Sequence, residues 1–97
     1  MATVDIEALH HELAPRIPTH AQPFIEMRVV GESGLSIRIN GKNCLTSIGV
    51  WPNGCCDVDY LFVESEQGQF NHYEFAGTED AIESVAREIN LAVERSL

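Results

Sequence analysis

Cys44-Leu-Thr-Ser-Ile-Gly-Val-Trp-Pro-Asn-Gly-Cys-Cys-Asp-Val-Asp-Tyr-Leu-Phe-Val-Glu64 is the stretch that decides the fold. Cys44 to Trp51 and Cys55 to Glu64 read as strands, and Pro52-Asn53-Gly54 between them carries turn chemistry. Successive side chains of a strand point to opposite faces. Cys56, Val58, Tyr60 and Phe62 then form one set, with the composition of a core. Cys55, Asp57, Asp59, Leu61 and Val63 form the other, which mixes two carboxylates with two aliphatic side chains.

The flanking segments extend this sheet. Upstream, Leu35, Ile37 and Ile39 face inward while Ser36 and Arg38 face out. Before them, Phe24 to Val30 alternates, with Ile25, Met27 and Val29 on one side and Glu26 and Arg28 on the other. Gly31-Glu-Ser-Gly34 turns the chain between these two strands. Asn40-Gly41 predicts a two-residue type I′ hairpin, whose central positions both need positive φ. Downstream, Ser65-Glu-Gln-Gly68 is a turn and Gln69 to Phe75 a fifth strand. Every link is short, so the strands pair with their sequence neighbours as an antiparallel meander.

Helices close both ends. Thr3 to Ala14 places Ile6, Leu9 and Leu13 on one stripe, with Thr3 or Asp5 as cap, and Pro15 and Pro18 end it. Gly77-Thr78 opens the last helix, with Thr78 as N-cap and Glu79 and Asp80 in the first turn. Its stripe is Ile82, Val85, Ala86, Ile89, Ala92 and Val93. The inner sheet face is the only large apolar partner for such a stripe. The expected fold is α+β: one domain over residues 1–97, a meander of about five strands, and N- and C-terminal helices packed on one face. The other face is open to water or to a partner.

Between Lys42 and Arg87 there is no Lys or Arg, and the 44 residues from Asn43 to Ala86 carry eight carboxylates. That block supplies −8 of the formal −9. A field of one sign steers partners of the opposite sign and repels nucleic acid and anionic membrane. The partner this favours is a basic protein surface. The same charge also serves solubility. The apolar fraction of 44% is that of a globular chain rather than an acidic disordered tail. At 97 residues it holds one core, and a deep pocket with catalytic machinery would strain it. No apolar run reaches the roughly 18–20 residues of a membrane span, and no signal peptide is visible. Cys44, Cys55 and Cys56 form a poor disulfide framework and read as free thiols in a reducing cytoplasm.

Chemistry-bearing patterns are few. Asp57 and Asp59 share a face about 6.5–7 Å apart along the strand, where both stay ionised and attract cations. Catalysis would need environments that drive their pKa values apart. His10-His11 and Cys55-Cys56 lack the zinc spacings C-x₂-C and H-x₃-H, so no metal set is expected. No nucleophile elbow, phosphate loop or basic face appears. His72 is expected to lie exposed beside Glu74 or an adjacent strand. Leu61 and Val63 are either part of a binding surface or covered by a loop or the first helix. Trp51 reads as closing a core edge, with an interface anchor as the other role.

Ile48-Gly-Val-Trp-Pro-Asn-Gly-Cys-Cys-Asp-Val-Asp-Tyr60, His72-Tyr-Glu-Phe75 and Thr78-Glu-Asp-Ala-Ile82 together resemble a pattern found in immunity proteins of bacterial polymorphic-toxin and contact-dependent inhibition systems, in particular the TriTu group. The resemblance covers the last half of the chain and, more loosely, the meander before it. It implies a cytosolic antitoxin without catalysis or cofactor. Such a protein covers the active site or substrate surface of a toxin domain delivered by a neighbouring cell, commonly a nuclease or nucleic-acid deaminase. Carboxylates would then meet the cationic groove that the toxin uses for phosphate, and no nucleic acid would be bound directly. The expected contact residues are Trp51, Asp57, Asp59, Leu61, Glu64, Glu66, Tyr73 and Glu74. A small acidic secretion chaperone or adaptor, possibly dimeric, is the alternative.

Overall fold

The computed structural model describes residues 3–31 and 34–96. Helix α1 (Ile6–Leu13) leads through two 3₁₀ turns, Ala14–Arg16 and Thr19–Phe24, into five strands: β1 (Ile25–Val29), β2 (Leu35–Asn40), β3 (Cys44–Val50), β4 (Cys55–Phe62) and β5 (Gln67–Glu74). Helix α2 (Thr78–Ser96) closes the chain. The strands form one antiparallel sheet in the order β1-β2-β3-β4-β5, the expected meander. The expected turn residues Glu32 and Ser33 lie outside the described residues.

Asp5 caps α1, its side chain accepting from the Ala8 N–H at 3.1 Å. Ile6, Leu9 and Leu13 are buried as the stripe predicts, and Pro15 turns the helix end into 3₁₀ geometry. Thr78 has a different role from the expected one. It is the first residue of α2, and its hydroxyl accepts from the Asp5 N–H at 2.9 Å, tying the two helix starts together. The reach-back at α2 comes from Asp80, whose carboxylate accepts from the Ala76 N–H at 2.9 Å. α2 buries Ala81, Val85, Ile89, Ala92 and Val93. It lies against β2 and β3, and α1 lies against β1 and α2. Both helices are therefore on one side, over Leu35, Ile37, Ile39, Ile48, Val50, Cys56 and Val58.

Two turns depart from their predicted form. Asn40 stays in β2, opposite Leu45, and Gly41 is outside the left-handed region, so no type I′ turn forms. Gly41 is needed for space instead: a Cβ there would run into the Cβ of Ser96 at the end of α2. The Asn43 N–H donates to the Ser96 carbonyl at 3.1 Å, which docks the helix end on this loop. The turn expected at Ser65-Glu-Gln-Gly68 is shorter, because β5 already begins at Gln67, and Glu66 takes a positive φ of 58°.

Candidate functional site

The sheet face turned away from the helices is uncovered. The register sets its side chains in rows across the strands. One row runs Arg28, Ser36, Gly49, Asp57, His72; the next runs Glu26, Arg38, Ser47, Asp59, Phe70. A third runs Asn40, Leu45, Leu61, Gly68. Ser36, Ser47 and Gly49 are small, so the face sinks along β2 and β3. Two adjoining depressions, of about 340 and 410 Å³, share Ser47 and Asp59 as lining. Together they make a furrow between Trp51 at one end and Leu45 and Leu61 at the other.

Trp51 does not close a core edge. It follows the buried Val50, so alternation sends its indole to the uncovered face, where it lies over Gly49. A Cβ on Gly49 would stand 3.0 Å from Trp51 Cη2, so glycine is what lets the ring lie flat. Trp51 remains 38% exposed, and Phe70 on β5 is 60% exposed. Leu61 and Val63 are exposed too, with neither loop nor α1 over them. Leu45 and Leu61 are direct cross-strand partners, which gathers the aliphatic surface at one end of the furrow.

Of the expected contact residues, Trp51, Asp57, Asp59, Leu61 and Glu74 share this face. Glu64 and Glu66 sit at the β4–β5 turn end. Tyr73 belongs to the other face: it pairs with the buried Cys56, and its hydroxyl donates to Glu88 on α2 at 2.9 Å. The carboxylate block, contiguous in sequence, is divided in space. Asp57, Asp59 and Glu74 face outward from the sheet. Glu79, Asp80 and Glu83 belong to α2, where Glu83 pairs with Arg16 at 3.3 Å. The cause is topological, because the meander crosses into the helix layer at Gly77. Arg28 and Arg38 also stand on the uncovered face, on the β1–β2 side. Glu26 stands between them, opposite Arg38, so this flank of the furrow is mixed, with one acid and two bases, while Asp57 and Asp59 make the other flank acidic.

The covered side holds a polar bridge. Tyr60 and Tyr73 both donate to Glu88, at 2.7 and 2.9 Å, and the Arg95 guanidinium lies 4.9 Å from the centre of the Tyr60 ring. Burial first, and then the hydrogen bond to Glu88, pushes the Tyr60 phenol well above its ordinary range. The hydrogen bond to Glu88 is the first cause for Tyr73, whose pKa is also raised. Burial, then the carboxylates of Glu88 and Asp57, pushes the Cys56 thiol up to about 12. A buried thiol held protonated in this way is chemically inert.

On the uncovered face His72 Nδ1 lies 2.6 Å from Asp57 Oδ1, as its cross-strand position requires. Cys55, His72 and Glu74 bring a sulfur, a ring nitrogen and a carboxylate oxygen within 4.8 Å of one another. Sequence spacing missed this set, because its members are neighbours across a hairpin and not along the chain. The register Cys55↔Glu74 is the signal that reveals it.

An α+β meander with one helix-covered face and one furrowed, mixed-charge face is the class that fold and site define. The chain matches no known protein family, no curated protein and no solved structure. No described helix is long and apolar enough to cross a membrane.

Proposed function

We propose that the uncovered face is a protein-docking surface and that the chain is a non-catalytic immunity protein, neutralising a cationic toxin domain of the nuclease or nucleic-acid deaminase type. The observation that carries this reading is the furrow. Apolar side chains stand exposed at both of its ends (Trp51 at one, Leu45 and Leu61 at the other), with Asp57 and Asp59 along one flank. Exposed apolar groups flanked by charge have the mixed composition of an interaction site. Trp51 and Leu61 are the anchors, and Asp57, Asp59 and Glu74 receive Lys and Arg of the partner. Glu64 and Glu66 at the turn extend the acidic rim. Tyr73 lies on the opposite face, bonded to Glu88, and is not part of this surface.

Reversing Asp57 and Asp59 to Lys together tests the electrostatic part. Association with a toxin domain that the chain neutralises should slow by tenfold or more and lose salt sensitivity. An unchanged rate and salt slope would remove electrostatics from the mechanism.

A second reading, an adaptor or secretion chaperone acting as a homodimer, draws on the apolar group Leu45, Leu61 and Phe70. A concentration-dependent dimer in sizing chromatography that dissociates on Leu61→Asp, with no tight toxin partner, favours it.

A further inference from the structure

We propose that Cys55, His72 and Glu74 form a binding site for a thiophilic divalent cation of the zinc class, with Asp57 as the residue that orients the histidine. The site goes beyond protein docking and requires only this chain.

Its geometry follows from the hairpin. The Phe75 N–H donates to the Gly54 carbonyl at 2.8 Å, so residues 54 and 75 are a hydrogen-bonded pair. The next pair, Cys55 and Glu74, is then of the narrow, non-hydrogen-bonded kind, whose side chains stand closest. His72 precedes Glu74 by two residues and shares its face. The three donor atoms fall within 4.8 Å of one another. A tetrahedral ion bonded at roughly 2.0–2.3 Å separates its ligand atoms by roughly 3.3–3.7 Å. Closing that difference takes small rotations about χ angles. His72 and Glu74 are exposed and Cys55 is half-buried, so all three have room to turn.

The hydrogen bond between Asp57 and His72 is the second observation. Nδ1 is engaged by a carboxylate oxygen 2.6 Å away, so the site assigns Nε2 to the metal. Metal-ligating histidines almost always carry such a carboxylate or carbonyl partner on their other nitrogen. The donor set selects the ion. Calcium and magnesium take oxygen ligands, whereas one thiolate, one imidazole and one carboxylate suit zinc and its neighbours. Coordination replaces the Cys55 S–H bond by an S–metal bond and releases the proton to solvent. Three protein ligands leave a fourth position open to water. The ion would clamp the start of β4 to the end of β5.

The test is titration of tag-free, reduced protein with Co²⁺, followed by Zn²⁺. One equivalent of Co²⁺ should give a four-coordinate visible spectrum and a thiolate-to-cobalt charge-transfer band, both abolished by Zn²⁺. Cys55→Ala should remove the charge-transfer band. Cys55→Ala and His72→Ala should each lower affinity at least tenfold. Asp57→Asn should keep the band and weaken binding by about 10–100-fold. Zn²⁺ should raise the melting temperature of the parent chain but not of the Cys55→Ala or His72→Ala chains. A spectrum with no thiolate band, or parental affinity in Cys55→Ala and His72→Ala, overturns the site. Neither result bears on protein docking, because no partner is present.

Discussion

Glu88 shows how much one side chain sets at the covered face. It is the acceptor for two phenols, one from β4 and one from β5, and its charge helps raise the Cys56 thiol. Glu88→Ala leaves the nearly buried Tyr60 hydroxyl without an acceptor. The expected loss is about 1–3 kcal/mol in urea unfolding, with a smaller loss for Glu88→Gln. Cys56 gives a pH signature. A thiol whose folded-state pKa lies above its unfolded value keeps its proton longer in the folded chain. Its contribution to stability is complete below pH 9.0, the ordinary thiol value, and is lost as pH rises toward about 12. Urea midpoints should therefore begin to fall above pH 9.0, before the tyrosines of the Glu88 bridge titrate. Cys56→Ala should flatten that first part of the fall; an unchanged slope would assign it to other groups. At this scale the sequence was partly legible. Strand parity assigned Cys56 to the core and Cys55 to the outer face. It could not supply Glu88 as the partner of Tyr60, because that contact depends on where α2 crosses the sheet.

At the scale of elements, periodicity and turn residues carried most of the fold. Five strands, their order and the two helices follow from alternation, helical stripes and short links. The misreadings lie where tertiary contact outweighs local preference. Asn40-Gly41 has the composition of a tight hairpin, yet the glycine serves the approach of Ser96. Gly41→Ala should force the loop and the end of α2 apart at a cost of about 1–3 kcal/mol in thermal or urea unfolding. Gly77, where an added Cβ meets nothing within 4 Å, is the control. Gly77→Ala should stay within about 0.5 kcal/mol of the parent. Equal effects at the two positions would show that backbone freedom, not space, fixes Gly41. Trp51 was misplaced for a similar reason. Its neighbour Gly49 offers a flat bed on the outer face, and only the paired strands show that the two residues meet. β5 is the other exception. Its inward positions are Gln69, Asn71 and Tyr73, and most of the strand is exposed on both sides. It ends the sheet with a free edge, the kind of element that accepts an added strand from another chain.

For the whole molecule, net charge is a poor guide to field. Of the formal −9, −8 falls in the block from Asn43 to Ala86. The fold sends three carboxylates of the central block to α2 and leaves Arg28 and Arg38 on the uncovered face. What remains is a local contrast, mixed charge beside β1 and β2 (Glu26, Arg28, Arg38) and acid beside β4 and β5. A partner that fits must therefore present cations to one flank of the furrow and apolar groups to its ends. Sequence assigned Glu79 and Asp80 to the last helix and Arg38 to an outward position, but it could not set Arg28 and Arg38 across the furrow from Asp57 and Asp59, since that placement is made by the register of the strands. The direct measurement is an NMR titration of the isotope-labelled chain with a cationic toxin domain of the proposed nuclease or deaminase type. Shifts should concentrate on the Trp51 indole, the Leu45 and Leu61 methyls and the amides around Asp57 and Asp59. Perturbations confined to α1 and α2, with those signals unmoved, would place the interface on the opposite side and contradict a docking role for the furrow.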